Sequence, residues 1–185
     1  MKSITQDYQN DKMVSSSIKN FFKEYKISAT LKESNAYKSK GVSVIAIFQY
    51  LFMLIFTNRS MYMNILMGTH KVDFGKDTVY RFINSIHINW IRFTTLLSTQ
   101  IASKTITKLT DENRVNVLIL DDTPFDRASA KKVELLAKTY DHAKKVYKYG
   151  FRLLTLGWSD GNTFLPVNGC LLSTENKKNR INEAV

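Results

Sequence analysis

The chain has 185 residues, of which 44% are hydrophobic and 12% aromatic, and this composition excludes a disordered tail. Lysine and arginine number 27 against 16 acidic residues, a formal charge of +11. That excess attracts polyanions and makes nucleic acid the first partner to consider, although some merely soluble proteins are also basic. The single cysteine, Cys170, excludes an internal disulfide, and three scattered histidines exclude a zinc-type cluster. We therefore expect a reducing, cytoplasmic setting.

The first residues are polar and lack the apolar core of a signal peptide, so we predict a disordered arm over residues 1–14. The most hydrophobic stretch, residues 41–56, would be roughly 24 Å long as a helix at about 1.5 Å per residue. A bilayer has a hydrocarbon core about 30 Å thick. We therefore interpret this stretch as a buried helix and expect no membrane partner.

Residues 15–110 have the apolar periodicity of amphipathic helices. Apolar side chains repeat at intervals of three and four residues in three predicted stripes: Ile18, Phe21, Phe22 and Tyr25; Val79, Phe82, Ile83 and Ile86; and Trp90, Phe93, Leu97 and Ile101. We predict four or five helices packed together.

Residues 111–185 have the pattern of a sheet. The run "VNVLIL" at 115–120 predicts a short strand that is buried on both faces. "FRLLTLGW" and "TFLPVNGCLL" predict two further strands, and Asp160-Gly161 between them predicts a tight hairpin turn. Because proline has no N–H to donate, Pro166 places the last strand at an edge. The predicted fold class is α+β, with three antiparallel strands ordered edge, middle and acid-bearing.

Two adjacent carboxylates, Asp121 and Asp122, end the first predicted strand in the sequence "LILDDTPFDR". Successive side chains of a strand point to opposite faces, so the two acids cannot both line one site. The simplest interpretation is that "DDTP" ends the strand as a turn, because aspartate bonds nearby backbone and proline favours an extended predecessor. No phosphate-binding glycine loop, zinc-protease motif or nucleophile elbow occurs in the chain.

The segment from "LILDDTPFDR" through "GFRLLTLGWSDGNTFLPVNGCLLS" to the polar "ENKKNRINEA" resembles the first half of the catalytic domain of bacterial insertion-sequence transposases. The resemblance is close over residues 115–185 and looser over residues 40–110. These enzymes belong to the RNase H-like class with an Asp, Asp, Glu triad. The resemblance implies Mg²⁺-dependent cleavage and strand transfer of transposon DNA, with carboxylates holding two metal ions.

The acid directly before threonine carries the first position of that triad, so the resemblance implies Asp122 as the catalytic residue and a metal ligand. Asp121 would then point to the opposite face, although a one-residue bulge would exchange the two. The second Asp and the Glu of the triad do not follow in this chain. The other acids, Asp126, Asp160, Glu175 and Glu183, are expected to be solvated.

We therefore expect a truncated, incomplete RNase H-like domain that binds Mg²⁺ weakly or not at all and does not cut DNA alone. The first strand would lack a neighbour on one side, so self-association through an exposed sheet edge is expected.

A different interpretation is a non-catalytic DNA-binding module within the helical region. The stretch from 60 to 86 predicts two short helices about a turn, with Lys71, Lys76, Tyr80 and Arg81 available to face the phosphates of transposon ends. These helices could equally be ordinary bundle members. A third interpretation is an unstable relic without activity.

Overall fold

The computed structural model of the chain describes residues 4–57, 60–62, 72–109, 111 and 113–182. Within these residues helices come first and antiparallel strands second, which confirms the predicted α+β class. The backbone divides into two compact units, Met1–Gln100 and Ile101–Val185. We call them the helical unit and the sheet unit. The division follows Gln100, whereas the sequence predicted it near residue 110.

Five α-helices are described in the helical part of the chain. They are α1 (Ile4–Glu24), α2 (Ile27–Glu33), α3 (Val44–Thr57), α4 (Lys76–Ile83) and α5 (Trp90–Ile101). After α5 the chain continues through one π-helical turn and one 3₁₀ turn before the first strand.

Helix α1 begins at Ile4, whereas we predicted a disordered arm up to residue 14. Extending an existing helix by one residue is far easier than starting one, and residues 4–14 contain neither proline nor glycine. The buried turn that contains Ile18 and Phe22 can therefore anchor a polar extension toward the N-terminus.

The core of the helical unit is aromatic. Phe22 of α1 lies against Phe48 and Phe52 of α3, and Phe48 in turn lies edge-on to Phe93 of α5, with ring centroids 5.2 Å apart. Such tilted arrangements suit the charge distribution of aromatic rings. The apolar periodicity therefore predicted which faces of α1 and α5 pack into the core.

The predicted stripe of α4 is only half correct. Val79 and Phe82 are fully buried, but Ile83 and Ile86 are 43% and 93% exposed. The helix ends at Ile83, so Ile86 no longer follows helical periodicity and leaves the stripe. None of the described helices is long and apolar enough to cross a membrane.

The sheet has four described strands: β1 (Val117–Asp126), β2 (Ala137–Asp141), β3 (Val146–Ser159) and β4 (Phe164–Leu172). Strand β3 pairs with all three others, in the order β1-β3-β2, with β4 also on β3. The predicted order of edge, middle and acid-bearing strands is confirmed for β4, β3 and β1. Strand β2, a short hairpin partner of the first part of β3, was not predicted.

Strand β1 differs from its prediction in length and in burial. It continues through Asp121, Asp122 and Pro124 to Asp126, whereas we predicted a turn at this point. All ten of its residues are exposed rather than buried, and among the described strands β1 pairs with β3 only. Proline is tolerated in such an edge strand because the free side of the strand requires no N–H donor.

The turn between β3 and β4 confirms the predicted hairpin. Gly161 adopts a φ of 85°, and Asp160 Oδ1 accepts backbone N–H bonds from Asn162 and Thr163 at 3.0 and 2.6 Å. The expectation that Asp160 is solvated was wrong, since it is only 2% exposed. Its carboxylate satisfies the N–H groups of the turn, and its second oxygen lies 3.7 Å from Arg114.

Gly150 of β3 lies close against the backbone of β1. A Cβ atom added there would meet the Phe125 carbonyl oxygen well inside contact distance. We predict that Gly150→Ala lowers the free energy of unfolding of the sheet unit by about 1–3 kcal/mol, the usual cost of overpacking. Urea unfolding followed by Trp158 fluorescence in a Trp90→Phe background measures the loss.

The matched control is Gly169→Ala in β4. A Cβ at that position would meet its nearest neighbours, a Leu153 methyl group and the Leu154 carbonyl oxygen, at an ordinary 3.5 Å. An equal loss in both variants would contradict the close approach at Gly150.

Candidate functional site

The two adjacent carboxylates lie on opposite faces of the sheet. The β1–β3 register is continuous from Val117 to Asp126, with Asp121 opposite Thr155 and Asp122 opposite Leu154. Alternate residues of a strand share a face, as do residues directly opposite on paired strands. Asp121 and Asp122 therefore belong to two different environments.

Asp121 makes a local contact. Its Oδ2 atom accepts a hydrogen bond from the Thr123 hydroxyl at 3.1 Å, two residues along the same face of β1. Both side chains are exposed. This bond ties the carboxylate to its own strand.

Asp122 makes a contact between strands. Its Oδ2 atom lies 2.5 Å from Nη2 of Arg152 on β3, and the two side chains are 45% and 29% exposed. Arg152 Nη1 also donates to the backbone carbonyl of Tyr140 on β2 at 3.4 Å. The guanidinium thus lies between the carboxylate of β1 and the backbone of β2.

A second ion cluster lies beside this pair. Lys148 Nζ is 2.6 Å from Oδ2 of Asp126 and 3.2 Å from Oδ2 of Asp141. Asp141 is nearly buried, and its Oδ1 atom accepts backbone N–H bonds from Ala143 and Lys144, both at 3.1 Å. One lysine therefore joins the ends of β1 and β2.

These contacts shift two pKa values in the cluster. The backbone N–H of Lys144 is the main cause that lowers the pKa of Asp141, with a further contribution from Lys148. The hydrogen bond to Asp126, followed by the one to Asp141, raises the pKa of Lys148. Each partner stabilises the charged form of the other.

All five side chains share one face of the sheet, as the alternation and the strand registers require. We call this set the charged face: Asp122, Asp126, Asp141, Lys148 and Arg152. It brings three carboxylates and two cations together, and both cations come from β3. Of these five residues, sequence reasoning singled out only Asp122. In "YKYGFR", Lys148 and Arg152 are four residues apart, and this even spacing places both cations on one face of a strand.

The described residues do not form a complete metal site. Mg²⁺ takes oxygen ligands in near-octahedral geometry. No group of three or more His, Cys, Asp or Glu side chains that could hold a metal ion occurs in the described part of the chain. Asp122 fits as one ligand, but the set as a whole does not fit the cation.

The residues predicted to contact DNA are only partly brought together. Lys76, Tyr80 and Arg81 are all exposed on α4, and Arg81 Nε donates to the Asp77 carbonyl at 3.2 Å. Lys71 lies outside the described residues, as does much of the first predicted helix of the pair.

Arg81 opens onto a cleft of about 450 Å³ within the helical unit. The lining combines basic, polar and apolar side chains: Asn35, Tyr37, Lys38, Val44, Arg81, Phe82, Ser85, His87 and Ile88. Its described lining includes no carboxylate, and Tyr37 is 71% exposed. We call it the basic cleft. Sequence reasoning missed Tyr37, Lys38 and His87, although "YKSKG" places an aromatic residue beside two lysines.

The pKa shift of Asp141 predicts a dependence of stability on pH. A lowered folded-state pKa contributes stability that is fully present above the ordinary value of 3.8 and is lost as the pH falls through the folded value. We predict that Asp141→Asn lowers the urea midpoint at neutral pH, and that its difference from wild type narrows below pH 3.8. Glu175→Gln, an exposed control in the same unit, is expected to change little. A difference that stays constant into acid would contradict the ion cluster.

Comparison with known proteins identifies the family. Residues 49–183 match the family model described as DDE superfamily endonuclease. No curated protein and no solved structure matches the chain. The matched segment contains the whole sheet, with both adjacent carboxylates, and helices α4 and α5. Since the match covers well over half of the sequence, the chain belongs to the DDE superfamily endonucleases.

Proposed function

We propose that this chain contributes to DNA transposition, with Asp122 as the first carboxylate of the DDE triad. The reaction would be Mg²⁺-dependent cleavage of insertion-sequence ends followed by strand transfer, in the cytoplasm. The observation that carries this proposal is the position of Asp122, whose half-exposed carboxylate lies on the charged face of β1 directly before Thr123. Family membership supports DNA as the substrate.

Asp122 is a better candidate than Asp121 for two reasons. It directly precedes Thr123, as the first acid does in the transposases that this segment resembles. Its neighbour Asp121 is bonded to Thr123 on the same strand, which is the kind of contact expected of a structural aspartate. A bulge that would exchange the two faces is not part of the continuous β1–β3 register.

We further propose that the 185 residues are inactive alone. Catalysis in this class depends on divalent cations held by several carboxylates. Of the acids on the charged face, Asp126 and Asp141 bond Lys148, and Asp122 bonds Arg152. Asp122 would therefore need further carboxylates, in a partner segment, to hold the metal.

The exposed surface of β1 supports self-association as a further property. Leu118 and Leu120 are 71% and 69% exposed, and among the described strands nothing pairs with the outer edge of β1. An unpaired apolar strand edge recruits other strands. A strand supplied by the rest of a catalytic domain would cover the same edge.

The second candidate function is a DNA-binding module without catalysis, and the basic cleft favours it. Its volume is within the range of about 300–1,000 Å³ typical of ligand sites. Three of its residues, Lys38, Arg81 and His87, can contact phosphate, and Tyr37 can stack on a base. Both functions can coexist in one chain. An unstable chain without activity, the third interpretation of the sequence, would show neither function.

Complementation tests the catalytic proposal. We predict that the chain alone associates and shows no Mg²⁺-dependent nicking of transposon-end DNA. A family C-terminal half, supplied in cis or in trans, is expected to restore both solubility and cleavage. In the complemented protein, Asp122→Ala is expected to abolish cleavage with little loss of DNA binding, whereas the matched Asp121→Ala retains activity.

Cleavage and DNA binding are measured on the same end-labelled duplex. Cleavage at a defined phosphodiester by the 185 residues alone would contradict the proposal. So would a complemented Asp122→Ala protein that remains active.

Salt dependence tests the basic cleft. With a charge of +11 the chain is expected to bind duplex DNA at low salt and to weaken steeply as counterions compete. We predict that Lys38→Gln and Arg81→Gln each reduce the slope of log K against log salt by about 1, the effect of one lost phosphate contact. Fluorescence anisotropy with a labelled duplex measures the slope.

The matched control is Arg92→Gln, which removes an exposed arginine of α5 that does not line the cleft. It is expected to leave the slope nearly unchanged. Equal effects of all three substitutions would show that binding follows total charge rather than the cleft.

A further inference from the structure

The side of the sheet opposite the charged face carries exposed aromatic rings. Tyr147 and Tyr149 of β3 and Phe125 of β1 are 58%, 47% and 40% exposed. Tyr147 and Tyr149 alternate with Lys148 along β3, so they lie on the side away from the charged face. Phe125 alternates with Asp126 in β1 in the same way. The three rings therefore share one side of the sheet.

Two cations lie among these rings. The Nζ atom of Lys138 on β2 is 4.9 Å from the centroid of the Tyr147 ring. The guanidinium carbon of Arg127, directly after β1, is 4.8 Å from the centroid of the Phe125 ring. The face of an aromatic ring attracts cations at such distances. The Arg127 N–H also donates to the Tyr149 carbonyl at 2.7 Å, which holds this residue beside β3.

We call this set the aromatic face: Phe125, Arg127, Lys138, Tyr140, Tyr147 and Tyr149. Tyr140 of β2 belongs to it because it lies directly opposite Tyr147, and their ring centroids are 5.0 Å apart. Lys138 lies directly opposite Tyr149. Aromatic and basic side chains thus alternate across the β2–β3 hairpin.

The charge of the aromatic face is positive. Lys144 and Lys145, in the turn between β2 and β3, add two exposed cations at the tip of the same hairpin. The only carboxylate that the four described strands place on this side of the sheet is Asp121, four residues before Phe125. The surface is therefore complementary to a polyanion.

The spacing of the rings favours a single strand over a duplex. In a duplex, the bases of each strand lie about 3.4 Å apart and stack on each other. Tyr147 and Tyr149 are two residues apart on β3, which is about 6.8 Å in an antiparallel strand. Neighbouring bases can reach both rings only when the nucleic acid is unpaired and extended. Stacking on aromatic rings tolerates any sequence, because every base has a π-face.

We propose that the aromatic face binds single-stranded DNA. Its tyrosines stack on unpaired bases, and its two cations, Arg127 and Lys138, contact the phosphates. Membership of the DDE superfamily endonucleases selects DNA as the polyanion. This site is separate from the basic cleft, lies on the side of the sheet opposite Asp122, and requires no catalytic activity.

The test is fluorescence anisotropy of the 185-residue chain with three labelled probes of one sequence, each about 12 nucleotides long, within the usual site size for single strands. The probes are a DNA single strand, the corresponding duplex and an RNA single strand. Tyr149→Leu keeps an apolar side chain but removes the stacking plane. It is expected to weaken binding of the DNA single strand by at least about fivefold, the effect of one lost stacked base, and to leave duplex binding nearly unchanged.

Lys138→Gln is a second variant that keeps every ring, so it tests the aromatic face even if Tyr149→Leu unfolds. It is expected to reduce the slope of log K against log salt for the DNA single strand by about 0.7, the effect of one lost phosphate contact. An unchanged slope in the folded variant would overturn the proposal.

Two matched controls lie in the sheet unit outside the aromatic face. Phe164→Leu removes a ring of β4 that is 52% exposed, and Lys108→Gln removes an exposed lysine of the 3₁₀ turn before β1. Both are expected to bind the DNA single strand like wild type. Losses equal to those of Tyr149→Leu and Lys138→Gln would overturn the proposal, since binding would then follow total charge and apolar area. Trp158 fluorescence in a Trp90→Phe background checks that each variant remains folded.

The remaining outcomes are equally decisive. Unchanged single-strand binding in folded Tyr149→Leu, or an equal loss on the duplex, would overturn the proposal. Tighter binding of the RNA strand than of the DNA strand would overturn DNA as the occupant. A complemented protein that cuts DNA although Tyr149→Leu binds single strands normally would remove the aromatic face alone. Tyr149-dependent single-strand binding in a protein that never cuts DNA would support the aromatic face and remove the catalytic proposal.

Discussion

The pairing of strand β3 with all three other strands organises the sheet unit. Its residues Val146–Ser159 pair with β1 on one side and with β2 and β4 on the other, so all three registers refer to one strand. The same strand contributes both cations of the charged face. A displacement of β3 would therefore change strand pairing and the electrostatics of Asp122 together.

The charged face depends on a balance between opposite charges. Carboxylates on one face repel each other, and unpaired charges that are partly removed from water are costly. In this sheet, lysine and arginine from β3 offset those charges at distances of 2.5–3.2 Å. Asp122, which is 45% exposed, is more open to solvent than Asp141, which is 8% exposed. Water therefore screens the ion pair of Asp122 more than it screens the ion pair of Asp141.

The two units carry different proposed roles. The helical unit has an aromatic core and a basic cleft. The cleft suits phosphate contacts because its described lining contains no carboxylate. The sheet unit carries the charged face. In this scheme the cleft would contribute affinity for DNA, whereas the charged face would contribute a metal ligand.

Turns and helical faces could be predicted from the sequence where the residues that interact are close along the chain. Asp160-Gly161 predicted its hairpin because the turn requires a positive φ, which Gly161 adopts. The helical stripes of α1 and α5 were readable from their period. Burial was less readable: the apolar run of β1 is exposed, and Asp160 is buried. Burial depends on which neighbours cover a strand or a turn, and periodicity contains no information about that.

The sequence by itself determined the α+β class, the hairpin and the order of β4, β3 and β1. It also placed Asp121 and Asp122 on opposite faces, because alternation along a strand is a local property. Only the tertiary structure decided that Arg152 neutralises Asp122 and that Lys148 joins Asp126 to Asp141. It alone also brought Tyr37, Lys38, Arg81 and His87 around one cleft. These groups are far apart in sequence, and their distances depend on strand register and helix packing, which are settled only when the whole chain has folded.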